Sequence, residues 1–247
     1  LQQSACSTII LGLDDRLVGI PWELLFDGQE FLSLRYNMGR VVSTRQEFSA
    51  VQRQLSVPMK MLLLADPQGS LPSSYTEGRK LRDMLDTKTE LIQASLKSSS
   101  IPMDYVKEKL RFFDILHYAG HTDYDTADPG LSGFLLADGK LNAQTIKNMV
   151  GQGAFPAFVF LNGCQSGHSG EWKIDTGYEQ VYGLANAFLL CGVRHFLGTF
   201  WEIQDEPSLL FALEFYENLL NGAMIGEAVR EARVRLVHEL GEDNVIW

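Results

Sequence analysis

Continuous apolar runs, two of which break off at glycine, separated by stretches of helical period, constrain this chain more than any other feature. MKMLLLAD (59–66), FFDILHYAG (112–120), FPAFVFLNG (155–163) and VRHFLGTFW (193–201) read as strands, and ELIQASL (90–96) as a further one. The segments 59–65 and 157–161 do not alternate, which is the signature of strands covered on both faces. Between them lie helical stretches. The first is 76–85, with Leu81, Met84 and Leu85 on one face. Next come 103–111 behind Pro102, then 143–149, and 182–192 closed by Gly192. Two more follow at 207–220 and 225–240. Strands alternating with helices predict an α/β fold, a mainly parallel central sheet flanked by helices. Earlier in the chain, Ile20, Trp22, Leu24, Leu25 and Phe26 form an apolar block closed by the Asp27-Gly28 turn signal. Residues 31–42 read as a strand region interrupted by Asn37 and Gly39, and 45–56 as a short helix or linker.

Composition narrows the function classes. The 247 residues suffice for one large domain or two small ones. Lys and Arg total 21 against 31 Asp and Glu, a formal charge of −10, which disfavours direct nucleic-acid binding by this segment. No run approaches the length of a membrane span and no leader pattern opens the chain, so no membrane partner and a cytoplasmic location are expected. The three cysteines, Cys6, Cys164 and Cys191, are widely spaced and odd in number, which fits a reducing compartment and leaves a thiol free for chemistry. The chain starts at Leu1 in a polar stretch and reads as a segment of a longer protein.

In parallel α/β sheets, sites form beyond the C-terminal strand ends, and two such ends carry His121 and Cys164. A cysteine nucleophile needs an imidazole to manage protons and backbone N–H groups to hold an oxyanion. Cys164 sits in LNGCQSG (161–167), where glycines permit a sharp turn that exposes the thiol and its amide. His121 sits in LHYAGHTDYD (116–125), 43 residues earlier, enough for a right-handed crossover that sets the two strands side by side. Cys191, inside an apolar helix, reads as a buried hydrophobe. His117 reads as an imidazole packed beneath the site, and His195 as a structural strand residue. Zinc is an alternative, since HYAGH and Cys164/His168 both give four-residue spacings. That spacing binds metal on helices, however, and these segments read as strand and turn.

At these residues the sequence resembles the CHAT family (caspase-HetF-associated with TPRs) of the caspase, metacaspase and separase group. IPWELL (20–25), LLLADPQGSLPSSYTEGRKL (62–81), LHYAGHTDYD, the hairpin-like SGFLLADGKL (132–141), VFLNGCQSG (159–167), GLANAFLLCGVRHFLGTFWEIQD (183–205) and GEAVREARVRL (226–236) carry the resemblance in order. It implies a caspase-like sandwich and a cysteine endopeptidase, with Cys164 the nucleophile and His121, rather than His117, the base. It further implies oxyanion donors at the amides of Cys164 and Thr122, although the family often has glycine at the latter position. No cofactor or metal is implied. Residues 1–57 would end a degenerate caspase-like subdomain and linker, and 58–247 would form the active domain.

The resemblance also implies a protein substrate, an upstream repeat domain on the same polypeptide and an activating sensor or RNA-guided complex in prokaryotic defence or signalling. The loop at 166–177 is a candidate for ordering on activation. Metacaspase-like relatives carry an aspartate two residues before the nucleophile, where this chain has Asn162. With no charge there for Lys or Arg, an uncharged P1 residue is expected. Phe200, Trp201 and Ile203 would supply an apolar wall, with Asp205 nearby in sequence. A non-catalytic caspase-like scaffold and a small-amide cysteine hydrolase are the competing functions.

Overall fold

The computed structural model describes residues 7–13, 17, 20–42, 50–125, 127–165, 177–199 and 204–241. In chain order the elements are β1 (Thr8–Leu13), α1 (Leu32–Arg35), β2 (Asn37–Val42), β3 (Met59–Ala65), α2 (Pro72–Leu85), β4 (Ile92–Lys97) and α3 (Met103–Lys109). They continue with β5 (Ile115–Asp123), β6 (Gly133–Leu136), β7 (Gly139–Asn142), α4 (Ala143–Lys147), β8 (Phe158–Gln165), α5 (Gly177–Leu190), β9 (His195–Gly198), α6 (Asp205–Leu220) and α7 (Ile225–Leu240). The chain divides into two compact units, Gln46–Ile203 and Leu1–Arg45 with Gln204–Trp247. None of the described helices is long and apolar enough to cross a membrane.

The unit Gln46–Ile203 is built on a seven-stranded sheet. Five strands run parallel in the order β4-β3-β5-β8-β9, and the β6–β7 hairpin joins the end of β5 antiparallel. The sheet is therefore mixed, a correction to the mainly parallel sheet expected. The cause is the hairpin: Thr122 and Asp123 outrun the last parallel pairs of β3 and turn to β6. One face is sealed by Leu62, Leu64, Leu116, Tyr118, Val159 and Leu161, packed with residues of the hairpin, α3, α4 and α5. On the other face, α2 buries Ser74, Glu77, Gly78, Leu81 and Leu85. A Cβ at Gly78 would lie 2.3 Å from the Ala65 Cβ, so the glycine lets α2 lie unusually close to β3. Every side chain from Met61 to Ala65 is fully buried, which is why that run shows no alternation.

Several boundaries differ from the sequence reading. Helix α2 begins at Pro72, four residues before the expected start, because a proline at the first turn costs no hydrogen bond. Phe112 and Phe113 precede β5, in and after a short 3₁₀ turn that extends α3. Residues 31–42 are not one strand but α1 followed by β2, with Asn37 opening the strand.

In the other unit β1 and β2 pair parallel, and α6 packs against α7. Glu23 of the IPWELL motif accepts from Arg40 Nε at 3.0 Å and from Arg40 Nη2. Burial acts to raise the Glu23 carboxyl's pKa. The hydrogen bond and charge of Arg40, with the charge of Arg233 on α7, outweigh it and hold the group below its ordinary value. Two separated motifs, one early and one in the last helix, thus meet through one carboxylate.

Glu23→Gln should lower stability at pH 7 by about 2 kcal/mol, seen as an earlier urea midpoint. The folded pKa is depressed, so the charge contribution is present above the unfolded value and is lost as pH falls through the folded one. Wild type and variant should therefore converge in acid; a gap that stays constant into acid contradicts the assignment.

Candidate active site

Strands β5 and β8 are parallel neighbours, and their register pairs His117 with Phe160, Ala119 with Asn162, Gly120 with Gly163 and His121 with Cys164. Adjacent strands lie about 4.8 Å apart, so the histidine and cysteine positions are within side-chain reach. Both strands run on past the expected ends, to Asp123 and Gln165. The pair therefore stands on the last rungs of the sheet and not on loops beyond it.

The glycines serve a different purpose from the turning freedom expected of them. A Cβ on Gly120 would meet Tyr118 Oη at 2.9 Å and Pro67 Cδ at 3.0 Å. A Cβ on Gly163 would meet Thr122 Cγ2 at 2.2 Å. The two glycines are register partners, and the space they leave takes the Tyr118 hydroxyl and the Thr122 methyl. Tyr118 Oη lies 2.5 Å from the His121 carbonyl and 2.9 Å from that of Leu135, so its hydroxyl donates into the backbone of the histidine itself. Burial pushes the Tyr118 phenol well above its ordinary pKa, so it stays protonated and remains a donor. His121 Nδ1 is buried and makes no hydrogen bond among the described residues. Among the described residues no carboxylate orients that nitrogen.

His117 is fully buried and packs edge-on against Phe160 at 4.8 Å between ring centroids. Its Nε2 donates to Glu77 Oε1 at 2.9 Å, and Asn162 Nδ2 donates to the same oxygen at 2.7 Å. His117 and His121 sit four residues apart on a strand, about 13 Å at 3.3 Å per residue, so the HYAGH spacing cannot close on one metal ion. Glu77 was missed in the sequence, where only Leu81, Met84 and Leu85 mark a face of that helix.

Thr122 is fully buried, in register with Phe134 on one side and Gln165 on the other. Asp205 is exposed in the first turn of α6, in the other unit, where its charge suits the helix N-terminus. Phe200, Trp201, Ile203, His168 and Cys6 lie outside the described residues, as do 166–176 of the loop expected to order on activation. Cys191 is buried directly after α5; its thiol donates to the Ile146 carbonyl at 3.2 Å, and burial pushes its pKa up to about 12.

The family model of the CHAT domain matches residues 1–245. The chain belongs to the CHAT-domain family. That family is one of caspase-like cysteine proteases, and the match covers the ordered blocks from IPWELL to the last helix. No curated protein matches the sequence.

Two outcomes follow for this CHAT domain. Burial keeps the Cys191 thiol protonated at pH 8, so iodoacetamide should leave it unmodified in the folded chain and modify it in urea. Gly120→Ala should displace the Tyr118 hydroxyl and cost about 1–3 kcal/mol by overpacking; a thermal midpoint equal to wild type would contradict the close contact.

Proposed function

We propose that this CHAT domain is a cysteine endopeptidase that cleaves a protein partner, with Cys164 as nucleophile and His121 as general base. The observation that carries the reading is the register pair His121–Cys164 at the end of two parallel strands. A buried imidazole nitrogen without a hydrogen bond costs free energy, of order 1–3 kcal/mol. Such a cost is expected where a reacting group completes the site. His121 would take the thiol proton, the thiolate would attack the scissile carbonyl, and the imidazolium would return the proton to the leaving amine. Water would then hydrolyse the thioester. The amides of Cys164 and Thr122 are assigned as oxyanion donors on family resemblance, and both residues stand within paired strands.

An uncharged P1 residue remains part of the proposal. Asn162 is neutral, and Glu77, the carboxylate it touches, is buried and already receives two N–H donors on one oxygen. Neither offers an open charge to Lys or Arg. Trp201 and Ile203 are proposed as further substrate-side residues on sequence position. An upstream repeat domain and an activating sensor or RNA-guided complex, in defence or signalling, rest on family membership alone.

Cys164→Ala and His121→Ala should each lower peptide cleavage by about 10³-fold or more while the thermal midpoint stays near wild type. His117→Ala should act differently, through loss of stability, because it removes one of the two N–H donors to the buried Glu77 carboxylate. A randomised peptide library should show a neutral P1. Dominant Arg, Lys or Asp at P1 would overturn the pocket assignment, and full activity of the Cys164 variant would overturn the mechanism.

A further inference from the structure

We propose that Glu77 is a positioning residue for the Cys164–His121 pair, tying α2 to both strands two and four residues beneath it. The inference rests on the reading of that pair as the catalytic dyad. Glu77 Oε1 takes N–H donors from His117 on β5 and Asn162 on β8, at 2.9 and 2.7 Å. His117 lies four residues before His121, and Asn162 two residues before Cys164. The carboxylate therefore bridges the two strands that carry the dyad, two residues below it on β8 and four below it on β5.

Three features point to positioning and not to packing alone. All three groups are buried, Glu77 at 5 %, His117 at 0 % and Asn162 at 7 % exposure. A carboxylate out of water is expensive unless well partnered, and an apolar side chain would fill the same space without that cost. With Nδ2 committed to Glu77, the Asn162 amide is held in one of its two flips, which fixes where its carbonyl oxygen faces. The helix is also brought unusually near the sheet for this contact: Gly78 stands where a Cβ would meet Ala65 Cβ at 2.3 Å and Leu96 Cδ1 at 2.9 Å. Ladder hydrogen bonds set the spacing of β5 and β8, whereas the Glu77 bridge adds a fixed reference to α2. Catalytic geometry tolerates little error, and groups that hold such residues from behind commonly govern it.

The test is the iodoacetamide rate at Cys164 of the 247-residue chain, read by mass spectrometry, with the same peptide in urea as the free-thiol reference. Thermal midpoints accompany each rate. Wild-type Cys164 should react faster than the unfolded thiol. Glu77→Gln keeps an oxygen acceptor and should react within about threefold of wild type. Glu77→Leu and Asn162→Ala should each react about tenfold slower or more, and Glu77→Gln should restore what Glu77→Leu loses. Should Glu77→Leu fail to fold, Asn162→Ala against Glu77→Gln decides the matter. Wild-type rates in a folded Glu77→Leu or in Asn162→Ala would overturn the positioning role. A wild-type Cys164 no faster than the free thiol would instead overturn the dyad on which the inference rests.

Discussion

The parallel register of β5 on β8 governs what this chain can do, because it alone sets His121 beside Cys164. Side chains alternate along a strand, so a slip of one residue would turn one member of the pair to the opposite face. Several contacts oppose that slip. Leu116 and Tyr118 pack with Val159 and Leu161 in the core on one face. On the same face the Thr122 methyl and the Tyr118 hydroxyl occupy the gap over Gly163 and Gly120, where any shift would bring a Cβ against them. On the other face, His117 and Asn162 converge on one oxygen of Glu77. The register is thus pinned from both sides of the sheet.

These contacts give the two glycines a physical meaning that turn propensity does not. In YAGH and NGC the glycine precedes the proposed base and the proposed nucleophile, which suggests a bend that displays each. Both strands instead continue through the glycine, and the missing side chain makes room for a neighbour's. The Tyr118 hydroxyl uses that room to reach the His121 carbonyl, so Gly120 and Tyr118, one and three residues before His121, act together.

Much of this was legible in the sequence, for definite reasons. The runs 59–65 and 157–161 announced covered strands, and the 43-residue separation allowed the crossover that makes β5 and β8 neighbours. Cys191 was placed correctly as a buried thiol by its apolar helix. Glu77 was not legible, since the buried stripe of α2 runs through Ser74, Glu77 and Gly78, which look solvent-facing by residue type. Nor was the mixed character of the sheet, which comes from two residues of β5 beyond its parallel ladder with β3. The α1–β2 break was hidden because 31–42 is apolar enough to pass for a single strand.

The most direct measurement of the register is a cross-link. Parallel register partners lie about 4.8 Å apart, inside the Cα range of about 4.4–6.8 Å that a disulfide spans. His121→Cys supplies the second thiol, and Gly120→Cys and Thr122→Cys serve as neighbours one residue away. After mild oxidation and digestion of the folded chain, mass spectrometry should find the 121–164 bridge in the first variant and little bridging to Cys164 in the other two. A bridge that forms preferentially from position 120 or 122, or none from 121, would contradict the pairing of His121 with Cys164.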